Sequence, residues 1–278
     1  MRLNWVSGVP GTLLHFLAVV KDMYLGAPFY FQGDQDAACL LIHGFASTPS
    51  EVRWLGEQLS KRGYSTMGVL LSGHGTTPEE LAGTTWKDWY SSVEGAYKRL
   101  RKDHKHVFVV GVSMGGLLAM MLAKNYPVEV AGIVTAGTPG SRWVFMDKRI
   151  HVTPIAKHFM PFQKRRVSPE ARKLHEQTGR VYYFKRPLAA VQSMMQLTIR
   201  IRKLLPEILV PALIMHSRKD KVINPASADI IYKHLGSNQK TLFFVDESDH
   251  IITLDKERDL VLNCIDGFFR ELLEERKS

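Results

Sequence analysis

Val107-Phe108-Val109-Val110-Gly111-Val112-Ser113-Met114-Gly115-Gly116-Leu117-Leu118-Ala119 is the stretch whose reading decides the fold. Its first four residues are apolar, and three of them are β-branched, as in a strand covered on both faces. Gly111-Val112-Ser113-Met114-Gly115 then matches G-x-S-x-G, and the run from Met114 to Asn125 has the composition of a helix. The five-residue pattern is a weak signal by itself. A strand before it and a helix after it make it a tight turn that lifts the Ser113 hydroxyl out at the carboxyl end of the strand. Gly111 and Gly115 leave room for the close packing such a turn needs. The Met114 N–H falls at a helix N-terminus, where it can face a developing negative charge.

Working outward, short apolar runs alternate with amphipathic stretches, the pattern of parallel strands joined by helices. Strands are expected at Phe29–Phe31, Ala38–Ile42, Ser65–Leu70, Val107–Val110, Gly132–Thr135, Ala212–His216 and Thr241–Val245. Helices are expected at Ser50–Arg62, Thr85–Lys102, Met114–Asn125, Ala226–Leu235 and Lys256–Glu274, the first with Ser50 as its cap. The fold class is therefore α/β, a mostly parallel central sheet flanked by helices.

Residues 138–206 break the alternation. They hold fifteen Lys and Arg against three acids, a net +12, whereas the rest of the chain carries 22 basic and 24 acidic residues, a net −2. Pro154, Pro161, Pro169 and Pro187 punctuate helix-like pieces at Ser168–Thr178 and Leu188–Leu204. We read residues 1–137 and 207–278 as the core and residues 138–206 as a basic helical insert between two strands. Aromatic and Met residues are dense in the insert, as packing against the core or as walls of an apolar pocket.

A serine hydroxyl needs a base, and the base needs an orienting carboxylate. The strand Ala212–His216 is followed by Ser217-Arg218-Lys219-Asp220, and the strand Thr241–Val245 by Asp246-Glu247-Ser248-Asp249-His250. The order Ser113, Asp220, His250 is that of an α/β-hydrolase. Asp246 and Asp249 are the rival acids, but both follow the strand that should separate acid from base. Of the eleven histidines, only His250 lies in the loop after the last strand. His104, His106 and His234 read as surface positions, His151, His158 and His175 as solvated or structural residues of the insert, His216 as strand-end packing, and His43 and His74 as partners of buried backbone. His43-Gly44-Phe45, after the strand Ala38–Ile42, directs a second N–H, that of Phe45, toward the position of Met114 N–H.

The segments LLIHGF (40–45), SGHGTTPEEL (72–81), WKDWYSSV (86–93), GVSMGG (111–116), SRKDKVINP (217–225) and SDHIITLD (248–255) resemble the bacterial carboxylesterase and monoacylglycerol lipase branch of the α/β-hydrolases. The resemblance runs from about residue 28 to the C-terminus. It implies that Phe45 and Met114 form the oxyanion hole, that the insert roofs the site as a cap and forms the acyl pocket, and that no metal or organic cofactor is required. Pocket contacts are expected at Trp143, Val222 and Ile251. The implied reaction is hydrolysis of small to medium-chain acyl esters or monoacylglycerols. A lactonase or thioesterase would use the same residues, and a non-catalytic ligand-binding protein could share the scaffold. Residues 1–25 and the strongly basic insert depart from the family.

Composition limits the remaining possibilities. The chain has 278 residues, 45% hydrophobic and 23% charged, with a formal charge of +10 and two cysteines, Cys39 and Cys264. This is ordinary globular composition without a disulfide framework, so a reducing, cytoplasmic setting is expected. The longest N-terminal apolar run, Leu13–Val20, stops at Lys21 and reads as a short docked helix rather than a membrane span or signal peptide. No nucleic-acid motif accompanies the positive charge. The expected partner is a small-molecule ester, with weak attraction of the basic insert to an anionic membrane surface and an oligomeric state left open.

Overall fold

Strand runs apolar on both faces need helices on both sides, and the computed structural model has that arrangement. It describes residues 25–164 and 180–276, with Arg172, Gln177 and Thr178 between them. The strands are β1 (Phe29–Phe31), β2 (Ala37–Ile42), β3 (Ser65–Val69), β4 (His106–Val112), β5 (Val130–Ala136), β6 (Phe162–Lys164), β7 (Lys185–Pro187), β8 (Ala212–Ser217) and β9 (Lys240–Val245). Seven of them form one sheet in the order β1-β3-β2-β4-β5-β8-β9. Only the edge strand β1 is antiparallel to its neighbour. The helices are α1 (Ser50–Ser60), α2 (Pro78–Ala82), α3 (Trp86–Asp103), α4 (Met114–Asn125), α5 (Thr153–Ala156), α6 (Leu188–Leu204), α7 (Ala226–His234) and α8 (Arg258–Glu275).

Alternate residues of each strand enter opposite layers. Leu40, Ile42, Val107 and Val109 join Trp89, Leu117, Leu118 and Ile201 in the layer under α3, α4 and α6. Cys39, Leu41, Phe108 and Val110 join Leu55, Phe268 and Phe269 under α1 and α8, where Phe108 and Phe269 stack with ring centroids 4.0 Å apart. Every residue of α4 from Met114 to Ala123 is buried, which explains why this helix is apolar around its whole circumference.

Several local expectations are corrected. Ser50 is not a cap: Pro49 holds that place, and the Ser50 hydroxyl meets Thr48 Oγ1 and accepts the Val181 N–H from the insert. Helix α2 was not anticipated, although Thr77 accepts the Glu80 N–H and Pro78 takes the first helical position. His104 is buried at the end of α3 rather than exposed. The insert is not helical throughout. Beside α5, α6 and 3-10 turns it contains an antiparallel ribbon in which Phe162, Gln163 and Lys164 pair with Pro187, Arg186 and Lys185. Pro187, at the end of β7, bars a helix from running through that strand into α6. The helices expected over 13–20 and 168–178 lie outside the described residues. None of the described helices is long and apolar enough to cross a membrane.

Candidate active site

The parallel strands β4, β8 and β9 end at the same edge of the sheet, and the loops that follow them carry Ser113, Asp220 and His250. β4 runs through Gly111 to Val112, so Ser113 follows without a connecting residue. Ser113 has φ 54° and ψ −118°, a backbone conformation that side-chain-bearing residues rarely adopt. The turn is held by Ser113 N–H donating to Ala136 O at 2.7 Å and Gly116 N–H donating to Ser113 O at 3.1 Å. It is also packed to contact. A Cβ on Gly111 would sit 2.2 Å from Gly115 O, and one on Gly115 would sit 2.3 Å from Ile42 O. These are the approaches the motif's glycines permit.

The His250 loop is pinned by carboxylates. Glu257 accepts the N–H groups of Asp246, Glu247 and Ser248 and the Ser248 hydroxyl. Asp255 accepts the Asp249 N–H, and Ser217 Oγ donates to Ser248 O. His250 Nε2 then lies 3.0 Å from Ser113 Oγ, and His250 Nδ1 lies 2.7 Å from Asp220 Oδ2. The Nδ1 neighbour is a carboxylate, so Nδ1 carries the proton and Nε2 is free to accept from Ser113. Burial alone would raise the Asp220 carboxyl, but the imidazoles of His250 and His216 beside it hold it well below the usual carboxylate range. The rival acids are turned elsewhere. Asp246 pairs with Arg218 at the surface, and Asp249 Oδ1 accepts the N–H groups of Lys221 and His250.

The turn after β2 abuts the serine turn. A Cβ on Gly44 would lie 3.3 Å from Ser113 Cβ and 3.5 Å from Val112 O. His43 is buried and its pKa is pushed down to about 4 by that burial, so it is neutral. Its Nδ1–H donates to Gly44 O and its Nε2 accepts the Leu71 N–H. Phe45 packs on Trp89 and His74. Among the described residues, the N–H groups of Phe45 and of Met114, the first residue of α4, have no hydrogen-bond acceptor. Two unspent donors therefore sit on adjoining turns beside Ser113.

The expected pocket residues are placed less uniformly. Trp143 is 63% exposed on the insert, against the Arg142 guanidinium at 4.2 Å and the His151 ring at 5.0 Å. Val222 is 40% exposed, and its N–H donates to Asp220 Oδ1 at 2.8 Å, a backbone role the sequence did not suggest. Ile251 is 4% exposed and joins the core layer under α1 and α8.

Two further groups were missed by reading the sequence. His216 is buried with Nε2 3.0 Å from Asp220 Oδ2. Glu51, in the first turn of α1, accepts the Gly44 N–H on Oε2 at 2.8 Å and the Arg180 guanidinium on Oε1. Its carbonyl accepts Thr253 Oγ1 at 2.9 Å. One buried carboxylate thus ties the Gly44 turn to the insert, and its backbone ties both to the His250 loop. Among the described residues, no group of three His, Cys, Asp or Glu side chains is arranged to hold a metal ion.

Residues 33–257 match the family model for serine aminopeptidase, S33. The chain is 33% identical over 248 residues to a carboxylesterase of Bacillus subtilis (strain 168), covering 88% of this chain and 96% of that one. It is 31% identical over 242 residues to a thermostable monoacylglycerol lipase of Bacillus sp. (strain H-257), covering 87% and 93%. Among solved structures, a member of the metagenome-derived LipS and LipT lipolytic enzymes superposes with a TM-score of 0.81 at 29% identity, over 88% of this chain and 98% of the other. A monoacylglycerol lipase of Paleococcus ferrophilus superposes with a TM-score of 0.75 at 17% identity, over 88% and 98%, a likeness of fold. With its serine turn between β4 and α4 and an acid and a histidine after β8 and β9, the chain belongs to the serine aminopeptidase S33 family of α/β-hydrolases, as a serine hydrolase of the carboxylesterase and monoacylglycerol lipase-like branch.

Proposed function

We propose that the protein hydrolyses small to medium-chain acyl esters or monoacylglycerols through an acyl-enzyme on Ser113. His250 Nε2 takes the Ser113 proton as Oγ attacks the ester carbonyl, and the resulting imidazolium protonates the leaving alcohol. Water then repeats the sequence on the acyl-enzyme. Asp220 keeps the Nδ1–H tautomer of His250 and steadies the imidazolium. The N–H groups of Phe45 and Met114 receive the oxyanion as the carbonyl carbon becomes tetrahedral. The observation that carries the reading is the unbroken hydrogen-bonded chain from Ser113 Oγ through His250 to Asp220 Oδ2, at 3.0 and 2.7 Å.

Residues 138–206 act in this proposal as the cap over the acyl site, with Trp143, Val222 and Ile251 as pocket residues. The insert exposes Trp143, Ile155, Phe159, Met160 and Phe184 among its many Lys and Arg side chains. That mixture favours weak, salt-sensitive attraction to anionic lipid by a protein that works in the cytoplasm.

The test is turnover of p-nitrophenyl esters from acetyl to palmitoyl by wild type and Ser113→Ala, with monoacylglycerols as competitors. Rates that peak at one chain length and fall by about 10⁴-fold or more in the mutant are expected. A mutant as active as wild type would remove Ser113 from the mechanism. A peak that stays put when Trp143, Val222 and Ile251 are varied would remove them from the pocket.

A further inference from the structure

Asp220 meets four hydrogen-bond donors, one more imidazole than proton transfer from Ser113 requires. Oδ1 accepts the N–H groups of Val222 at 2.8 Å and Ile223 at 2.9 Å. Oδ2 accepts His250 Nδ1 at 2.7 Å and faces His216 Nε2 at 3.0 Å. His216 lies in β8, four residues before Asp220, with its ring wholly inside the protein. The other neighbour of its Nε2 is the carbonyl of Ile223, at 3.4 Å. Both neighbours are acceptors, so Nε2 carries a hydrogen whatever the state of Nδ1.

We propose that His216 is a positioning residue for the catalytic acid, holding Asp220 Oδ2 in the orientation His250 needs and sharing the carboxylate's charge with it. The proposal rests on the assignment of Ser113, His250 and Asp220 given above. A carboxylate cut off from water has to have its lone pairs filled by protein donors. The two backbone N–H groups fix Oδ1, and Oδ2 would have His250 alone if His216 were apolar. The carboxylate would then swing about Oδ1, and its charge would act on a single imidazole. Concentrated charge makes that imidazole hold a proton more tightly, whereas a second donor on Oδ2 drains part of it. His216 therefore keeps His250 aligned and spreads the carboxylate's charge over two imidazoles.

The titratable groups facing this cluster are few. His216, in β8, faces Asp220 in the loop that follows and, across the carboxylate, His250 in the loop after β9. Asp249 in that loop is turned onto the backbone N–H groups of Lys221 and His250, and Asp255 onto that of Asp249. From the end of β5, the uncharged backbone of Gly137 packs on the His250 ring.

The experiment measures kcat and KM for a p-nitrophenyl ester across pH with His216→Leu, His216→Gln, Ser113→Ala and Asp220→Asn in the full chain. Leu is expected to lower kcat about tenfold with KM changed by less than about twofold, the loss of one hydrogen bond to a charged group. It also moves the acid limb of the profile to higher pH. The amide of Gln reaches the place of Nε2, so it should restore kcat to within about threefold and return the limb to its wild-type position. A Leu variant with wild-type kcat and limb overturns the proposal, as do Leu and Gln variants equally slow with the limb unmoved. If Leu does not fold, His216→Asn, whose amide is too short to reach Asp220, should show the same losses, and a wild-type profile from it overturns the proposal equally. Active Ser113→Ala and Asp220→Asn enzymes would sink the triad itself. Inactive ones beside a wild-type-like His216→Leu sink only the role of His216.

Discussion

The serine turn and the insert face the same edge of the sheet but are built by opposite rules. From Val107 to Ala123 nearly every side chain is buried, glycines let backbone touch backbone, and the chain carries no charge. The insert carries a net +12 and leaves Phe159 82% exposed. A turn whose atoms have nowhere else to go fixes Ser113 in a strained conformation. The exposed side chains of the insert, Phe159 among them, can change without moving that turn, although its helix α6 packs into the core. The fold thus separates a rigid chemical centre from an adaptable covering, with Arg180 and Glu51 as a buried tie between them.

The sharpest way to break the comparison is to remove equivalent aromatic rings from the two regions. Phe108→Ala empties the stack on Phe269 and should lower unfolding free energy by about 4 kcal/mol, whereas Phe159→Ala should change it by less than about 0.5 kcal/mol. Urea unfolding of both variants checks this, and similar losses would erase the distinction between core and insert. Next comes the tie itself. Arg180→Met leaves the buried Glu51 carboxylate without its cation and should destabilise by about 3 kcal/mol, with Glu51→Gln/Arg180→Met recovering part of the loss. Because Glu51 also holds the Gly44 N–H, kcat should fall in Arg180→Met more than KM rises.

The same tie predicts an acid response. Burial would raise the Glu51 carboxyl, but Arg180 and then the Gly44 N–H bring it down to about 2, against 4.5 for an ordinary glutamate. Its folded pKa is depressed, so its contribution to stability is present above about 4.5 and is lost as pH falls from there through about 2. Thermal melting should show a shallower acid decline in the Glu51→Gln/Arg180→Met protein, and an unchanged decline would show that other carboxylates govern it. The smallest effect belongs to the surface. Phe159→Ser should reduce co-sedimentation with anionic vesicles by about twofold at low salt and leave melting unchanged. Equal pelleting with neutral and anionic vesicles would argue against attraction by charge.

Much of the site was legible because strand ends are readable. Seven apolar runs set the sheet, and the positions of Ser113, Asp220 and His250 just after three of them brought the residues together before any distance was known. The Phe45 turn was legible for the same reason. His216 was read as strand-end packing because a lone histidine in a strand carries no sign of what its ring touches. The ribbon of β6 and β7 was missed because each strand is three residues long, too short for periodicity to show.

The sequence by itself determined the α/β alternation, the serine turn and the order of serine, acid and histidine, since these follow from local periodicity and from glycines whose effect is local. Only the tertiary structure decided that Asp220 shares one oxygen between two imidazoles and that Glu51 meets Arg180, 129 residues away. Contacts between distant residues depend on how the sheet twists and how the insert folds back. No short-range pattern encodes those, because a buried charge or imidazole is recognisable only once its partners surround it.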